Sequence, residues 1–280
     1  MGRPTHLFSV DVEEHFQVSA FERVVSRETW DSHPSRVVAN THRVLDLLAE
    51  TGQHATFFTL GWVADRHPGL VNAIAERGHE IASHSYWHER VTTLDRDRFR
   101  EEIRRSKRVL EDVVGKPVIG YRAPSFSIVP GLEWTFDLLL EEGYRYDSSL
   151  FPISRRGYGY PGAHPDPHIV TTASGPLREI PIATATVGPF RLPAGGGGYL
   201  RHLPFRLTQL AFRQASARSA SAMFYIHPWE VDPDQPRLAV DWLTHRRHYG
   251  GLARTVGLLR RLLAEFRFTS VERWLAERPE

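Results

Sequence analysis

His84 and His88 stand four residues apart in the run His-Ser-Tyr-Trp-His, downstream of two carboxylates, Asp11 and Glu13, that close an apolar N-terminal run. On one helical turn, imidazoles at this spacing face the same way, which is how a His pair grips Zn²⁺ or a similar divalent ion. Asp11 and Glu13 lie two apart on a strand-like stretch, so both point to one side. One carboxylate can then complete a metal site while the other activates a water. The chain has no cysteine, which removes disulfides, thiolate ligands and thiol nucleophiles. Any metal must be held by His and carboxylate.

Such side chains need strands that end at a common face. Four times the sequence runs through an amphipathic helix, a glycine and an apolar strand. The helices are expected at 35–50, 68–77, 95–114 and 130–142, and the strands at 55–60, 80–83, 118–121 and 144–146, with 7–10 preceding them all. Gly52, Gly78, Gly115 and Gly143 fall where a helix C-terminus needs a left-handed residue. The alternation predicts a parallel sheet with covering helices. Asp11, His84, Arg122 and Asp147 each end a strand, the place where a (β/α) barrel builds its active site. A doubly wound sheet would carry a glycine-rich turn after its first strand; here that turn is Asp-Val-Glu-Glu-His.

After Leu150 the rhythm breaks. Residues 152–198 read as a variable loop region with short strands at 177–182 and 190–192. Its four glycines, Gly195 to Gly198, suit either a close backbone approach to a ligand or a hinge. A helix at 203–218 and a strand at 222–226 then lead to His227-Pro228-Trp229-Glu230, a fifth polar cluster at a strand end.

With 280 residues, 41% of them hydrophobic, the chain can bury a sizeable core, and a single domain with a C-terminal extension at 231–280 is expected. No apolar run approaches the roughly 18 to 20 residues of a spanning helix. The stretch from Leu7 to Val10 runs straight into acid, unlike a signal-peptide core, so a cytoplasmic protein is expected. Net charge is only +2 and lysine occurs only at 107 and 116, which leaves no nucleic-acid footprint. Leu258, Leu259, Leu262 and Leu263 recur at helical spacing beside Arg254, Arg260 and Arg261, which reads as a core-packed helix with a solvated basic face. The rival reading is contact with an anionic membrane or acidic polymer. Singly, each site residue also has a plain structural role. Asp11 can cap a turn, Arg122 can pair with a structural acid, Asp147-Ser148-Ser149 can form a turn, and His227, Trp87, Trp229 and Phe126 can be core.

The ordered runs Ser-Val-Asp-Val-Glu-Glu (9–14), His-Ser-Tyr-Trp-His (84–88), Arg-Ala-Pro-Ser-Phe-Ser (122–127), Asp-Ser-Ser-Leu-Phe-Pro (147–152) and Tyr-Ile-His-Pro-Trp-Glu (225–230) resemble the polysaccharide deacetylases of carbohydrate esterase family 4. That NodB-homology domain is a distorted (β/α) barrel. The Gly-Gly-Gly-Gly-Tyr run, His248-Tyr249 and Phe268 to Val271 resemble the branch found beside exosortase/PEP-CTERM exopolysaccharide loci.

The resemblance implies a divalent metal, zinc above all, on Glu13, His84 and His88. It implies Asp11 as general base, Arg122 to orient Asp11 and hold it ionised, and His227 as the acid that protonates the departing amine. Ser125, Phe126, Asp147 and Trp229 become the substrate and oxyanion groups. Val12 stands where most of the family has a second aspartate, an Asp-x-Glu spacing similar to a cytoplasmic-type Asp-x-Asp subgroup. That leaves Glu13 or Glu14 as the acidic ligand, with strand alternation favouring Glu13. The implied partner is an N-acetylated glycan or lipid-linked oligosaccharide, met in the cytoplasm at the inner face of the membrane, by a monomer or a homo-oligomer. Two rivals remain: a cyclic amide or ureide hydrolase of the same fold with little or no metal dependence, and a non-catalytic carbohydrate-binding assembly protein.

Overall fold

The computed structural model describes residues 4–154 and 157–278, so residues 155–156 of the expected loop region lie outside the described residues. Its sheet strands are β1 (His6–Val12), β2 (Thr56–Thr59), β3 (Glu80–Ser83), β4 (Gly120–Tyr121), β5 (Tyr146–Asp147), β6 (His168–Thr172) and β7 (Gly175–Glu179). A separate hairpin, β8 (Thr184–Val187) and β9 (Phe190–Pro193), precedes β10 (Met223–Ile226) and β11 (Phe268–Thr269). The sheet order is β10-β1-β2-β3-β4-β5-β7-β6, parallel except for the β6/β7 pair, with β11 added beside the start of β1. A bridge from Ile182, just past β7, to Met223 of β10 curls the sheet back on itself. The expected distorted (β/α) barrel is therefore the observed fold.

The helices are α1 (Val37–Ala49), α2 (Gly61–Arg66), α3 (Pro68–Glu76), α4 (Arg96–Val114), α5 (Trp134–Glu141), α6 (Gly197–His202), α7 (Phe205–Ala217), α8 (Trp242–Tyr249), α9 (Leu252–Glu265) and α10 (Val271–Ala276). Strand β1 shows how the layers sort. Phe8, Val10 and Val12 belong to the large core shared with the helices, whereas Leu7 packs in a second cluster with Phe58, Ala82, Tyr146 and Met223. Strand alternation therefore sends Leu7, Ser9 and Asp11 to the barrel interior. Helix α4 is set by its ends: the Asp95 carboxylate accepts from Arg98 N, and Gly115 closes the helix at φ 65°.

Two expectations need correction. Residues 84–88 form no helical turn; Ser85 and His88 take left-handed φ of 63° and 55° in a loop. The four-glycine run is neither hinge nor ligand cradle. A Cβ on Gly195, Gly196 or Gly197 would meet Met223 O, the Tyr225 ring or the Glu230 carboxylate at 2.7, 2.5 and 2.5 Å. Glycine is there so that α6 can close on β10. The basic C-terminal stretch is two helices parted at Gly250 and Gly251. In α9, Leu252, Leu259, Leu262 and Leu263 are buried, Arg260 pairs with Glu50 at 2.9 Å and Arg254 bonds Arg201 O, as a core-packed helix should.

Candidate active site

Four strand ends, of β1, β3, β4 and β10, meet at one mouth of the barrel. The register places Val10 beside Ile226 and Phe57, and Ser83 beside Tyr121, so Asp11, His84, Arg122 and His227 each follow directly on these aligned positions. A cavity of about 520 Å³ opens there, its wall including Asp11, Glu13, His84, His88, Ser125, Phe126, Tyr199, Tyr225, His227 and Trp229.

Arg122 is wholly buried and spends its guanidinium on fixed partners. Nη1 donates to Asp11 Oδ1 at 2.6 Å and to Ser9 Oγ at 2.8 Å, while Nε and Nη2 donate to Ser148 O and Oγ at 3.1 and 2.8 Å. Its head lies 4.0 Å from the centre of the Phe58 ring. One Asp11 oxygen is thus pinned; Oδ2 lies 4.0 Å from His227 Nε2.

Ligand atoms of Glu13, His84 and His88 lie within 4.8 Å of one another, all three residues buried. His88 Nε2 is 2.8 Å from Glu13 Oε2, yet the pair is not aligned as a hydrogen bond, and that buried oxygen has no hydrogen-bond partner. His84 Nδ1 sits 2.8 Å from Arg122 O, which leaves Nε2 for a ligand. Burial holds the His84 pKa down at about 4, so its ring is neutral, as a metal ligand must be. Burial opposes charge on Glu13, but His88 and His227 outweigh it and hold its carboxyl at about 2. An orphaned carboxylate oxygen beside two imidazoles is a donor set that fits a divalent cation. Glu14 turns the other way and accepts from Arg36 N and Val37 N at the start of α1.

His227 is held by residues to which the sequence reading gave no role. Its Nδ1 lies 2.9 Å from Glu230 Oε1, and Glu230 Oε2 accepts from Arg201 Nε at 2.9 Å. Burial lowers the His227 pKa, but the carboxylates of Glu13, Glu230 and Asp11 reverse this and raise it to about 9. Glu230 itself resists burial through Arg201 and His227 and stays at about 2. The signal was in the sequence: a histidine, a proline and a glutamate three residues on is a capping-box pattern opening a short turn. Arg201 was not legible, because it arrives on α6 from 26 residues upstream of His227.

The remaining expected residues divide. Ser125 and Phe126 line the cavity, both left-handed at φ 55° and 51°, and Ser125 Oγ is 2.5 Å from Ser19 Oγ. Trp229 is in the wall, but its Nε1 donates to Glu13 Oε1 at 3.3 Å and its ring stacks between His227 and His248. Asp147 does not reach the cavity. It is fully buried, accepting from Ser149 N and Oγ at 3.0 and 2.6 Å, and Ser149 Oγ in turn accepts from Ala123 N. It supports the turn that carries the partners of Arg122.

Residues 23–131, which include His84, His88 and Arg122, match the polysaccharide deacetylase family model. That part of the chain is similar to polysaccharide deacetylases. Residues 148–276, which include His227, match a domain of unknown function, DUF3473. Asp11 and Glu13 lie outside both matches. The chain is similar to a peptidoglycan-N-acetylglucosamine deacetylase of Bacillus cereus, 32% identical over 107 residues, which is 38% of this chain and 38% of the relative. This chain therefore matches well under half of that relative's length. The fold is similar to a structure described as a polysaccharide deacetylase from Mycobacterium smegmatis, with TM-score 0.66 and 22% identity over 99% of this chain and 91% of the other. An allantoinase structure is similar too, with TM-score 0.63 and 17% identity over 99% of this chain and 91% of the other.

Proposed function

We propose that the protein hydrolyses N-acetyl groups from amino-sugar residues of a polysaccharide or lipid-linked exopolysaccharide precursor, releasing acetate. The reading is carried by one observation: an arginine-pinned aspartate, a Glu-His-His donor set and a glutamate-backed histidine face one cavity. A divalent cation on Glu13, His84 and His88, zinc on the strength of its nitrogen and oxygen donors, would polarise the acetamide carbonyl and lower the pKa of a bound water toward about 7.

The chain's own residues supply the rest. Asp11, with Oδ1 fixed by Arg122, takes the water's proton at Oδ2. His227, which the surrounding carboxylates favour in its charged form, delivers a proton from Nε2 to the departing amine. Glu230 holds Nδ1–H, which leaves Nε2 facing Asp11 and Glu13. A backbone N–H near Ser125 steadies the developing oxyanion, and Phe126 and Trp229 offer apolar surface to the sugar.

The resemblance to the exosortase-associated branch supports an exopolysaccharide substrate, and a lipid-linked precursor places the reaction in the cytoplasm at the inner membrane face. The test is acetate release from N-acetylglucosamine oligomers by the folded, metal-supplied protein. No release from any such oligomer would refute the proposal.

A further inference from the structure

Helix α8 is buried at its C-terminal end and largely exposed over the rest of its length. His248 and Tyr249 are buried, with the His248 ring stacked 4.1 Å from Trp229. Trp242 and Leu243 point outward, 72% and 45% exposed, and Trp242 is the most exposed large apolar side chain among the described residues. Around them the charge is one-sided: residues 237–247 hold Arg237, Arg246 and Arg247 against Asp241 alone. Asp241 is engaged in capping α8 through Leu243 N and Thr244 N. The arginines of this patch form no salt bridge among the described residues, unlike Arg260 of α9 with Glu50. Arg246 instead lies against the Trp242 ring, 5.7 Å from its centre.

An exposed Trp-Leu pair flanked by unpaired arginines is the composition of an interfacial anchor, in which the apolar groups enter the headgroup boundary and the arginines meet anionic lipid. We infer that α8 seats the protein on an anionic phospholipid bilayer. Two residues of the same helix, Thr244 and Arg247, line the candidate active-site cavity. A bilayer under α8 would therefore lie beside the cavity mouth, where a lipid-linked glycan could enter; this last step rests on the proposed function, whereas the docking does not. Self-association through this face would set like charges against each other, and a neutral sugar would leave the arginines unused.

The test is flotation of the intact chain with phosphatidylcholine vesicles and with vesicles that also contain phosphatidylglycerol. Binding is expected only to the second kind and should fall with added salt. Arg246→Ala should weaken it about fivefold and Trp242→Ala at least about tenfold. Acetate release from a water-soluble oligosaccharide should be unchanged in Trp242→Ala. Absent wild-type binding, or binding indifferent to Trp242, overturns the inference. So does a Trp242-dependent dimer in sedimentation without lipid, or a raised KM for soluble oligosaccharide without vesicle binding, which would make Trp242 a carbohydrate platform. Trp242-dependent vesicle binding without any acetate release would uphold α8 as the docking element and refute the proposed activity instead.

Discussion

Replacing Glu230 by Gln keeps the side chain's size and removes the charge that backs His227. Glu230 Oε1 is 2.9 Å from His227 Nδ1, and both groups are buried enough for the interaction to escape most solvent screening. A charge at this distance moves a neighbour's pKa by about 1 to 3 units. Losing Glu230 should therefore bring His227 from about 9 down by about two units, a change of about 2.7 kcal/mol. Midway between the two pKa values the protonated fraction would fall from about nine-tenths to about one-tenth, and kcat with it by about tenfold. Well below both values both proteins would be protonated and the loss small. A cation on Glu13 would lower His227 in both proteins, so the displacement between the two alkaline limbs is the quantity to measure. The assay is kcat for acetate release from pH 5 to 10. An alkaline limb that stays in place, or an equal loss at every pH, would refute the assignment of His227 as acid and Glu230 as its support. The variant should also be less stable by about 3 kcal/mol, since Arg201 loses its buried partner but keeps bonds to Arg247 O and Gly250 O.

His88→Ala should lose metal and activity together, whereas His227→Ala should keep metal and lose rate; elemental analysis beside kcat separates the two, and equal metal loss would overturn the division of roles. Gly197→Ala should cost about 1 to 3 kcal/mol and lower kcat, because its Cβ would sit 2.5 Å from the Glu230 carboxylate, and a thermal melt with an acetate assay checks both. Glu80, deep in the barrel and bonded by Thr56 and Tyr146, is raised by burial to about 7. A carboxyl raised on folding contributes stability below its ordinary value of 4.5 that is lost as pH climbs to about 7. Melts of Glu80→Gln should therefore improve relative to wild type between pH 4.5 and 7, and a pH-independent difference would contradict this.

Alternation and strand ends made much of the barrel legible. Strand β3 falls where 80–83 was expected, and Asp11, His84, Arg122 and His227 all converge from the ends of their strands. What failed was whatever depended on a distant partner. The 84–88 loop is not a helix because buried Glu102, on α4, accepts from Tyr86 N and Trp87 N, and because Gly61 lets the Tyr86 ring pack where a Cβ would clash at 2.4 Å. No periodicity within His-Ser-Tyr-Trp-His reports that. Asp147 read as a site residue because it ends a strand, but its carboxylate is taken by Ser149, and its neighbour Glu179, pushed well above its usual range by burial and by Asp147, comes from the short strand expected at 177–182, which no local pattern ties to Asp147. The glycine run was visible as a run, yet its meaning required knowing that Tyr225 and Glu230 lie against it.

Metal-dependent deacetylation stands or falls on acetate release from an N-acetylglucosamine oligomer, followed before chelation, after chelation and after a divalent metal is restored. Chelation should abolish release and metal should return it, with the Asp11→Asn variant inactive throughout while still binding metal. Undiminished activity after chelation, or no release from folded, metal-loaded protein, would contradict it.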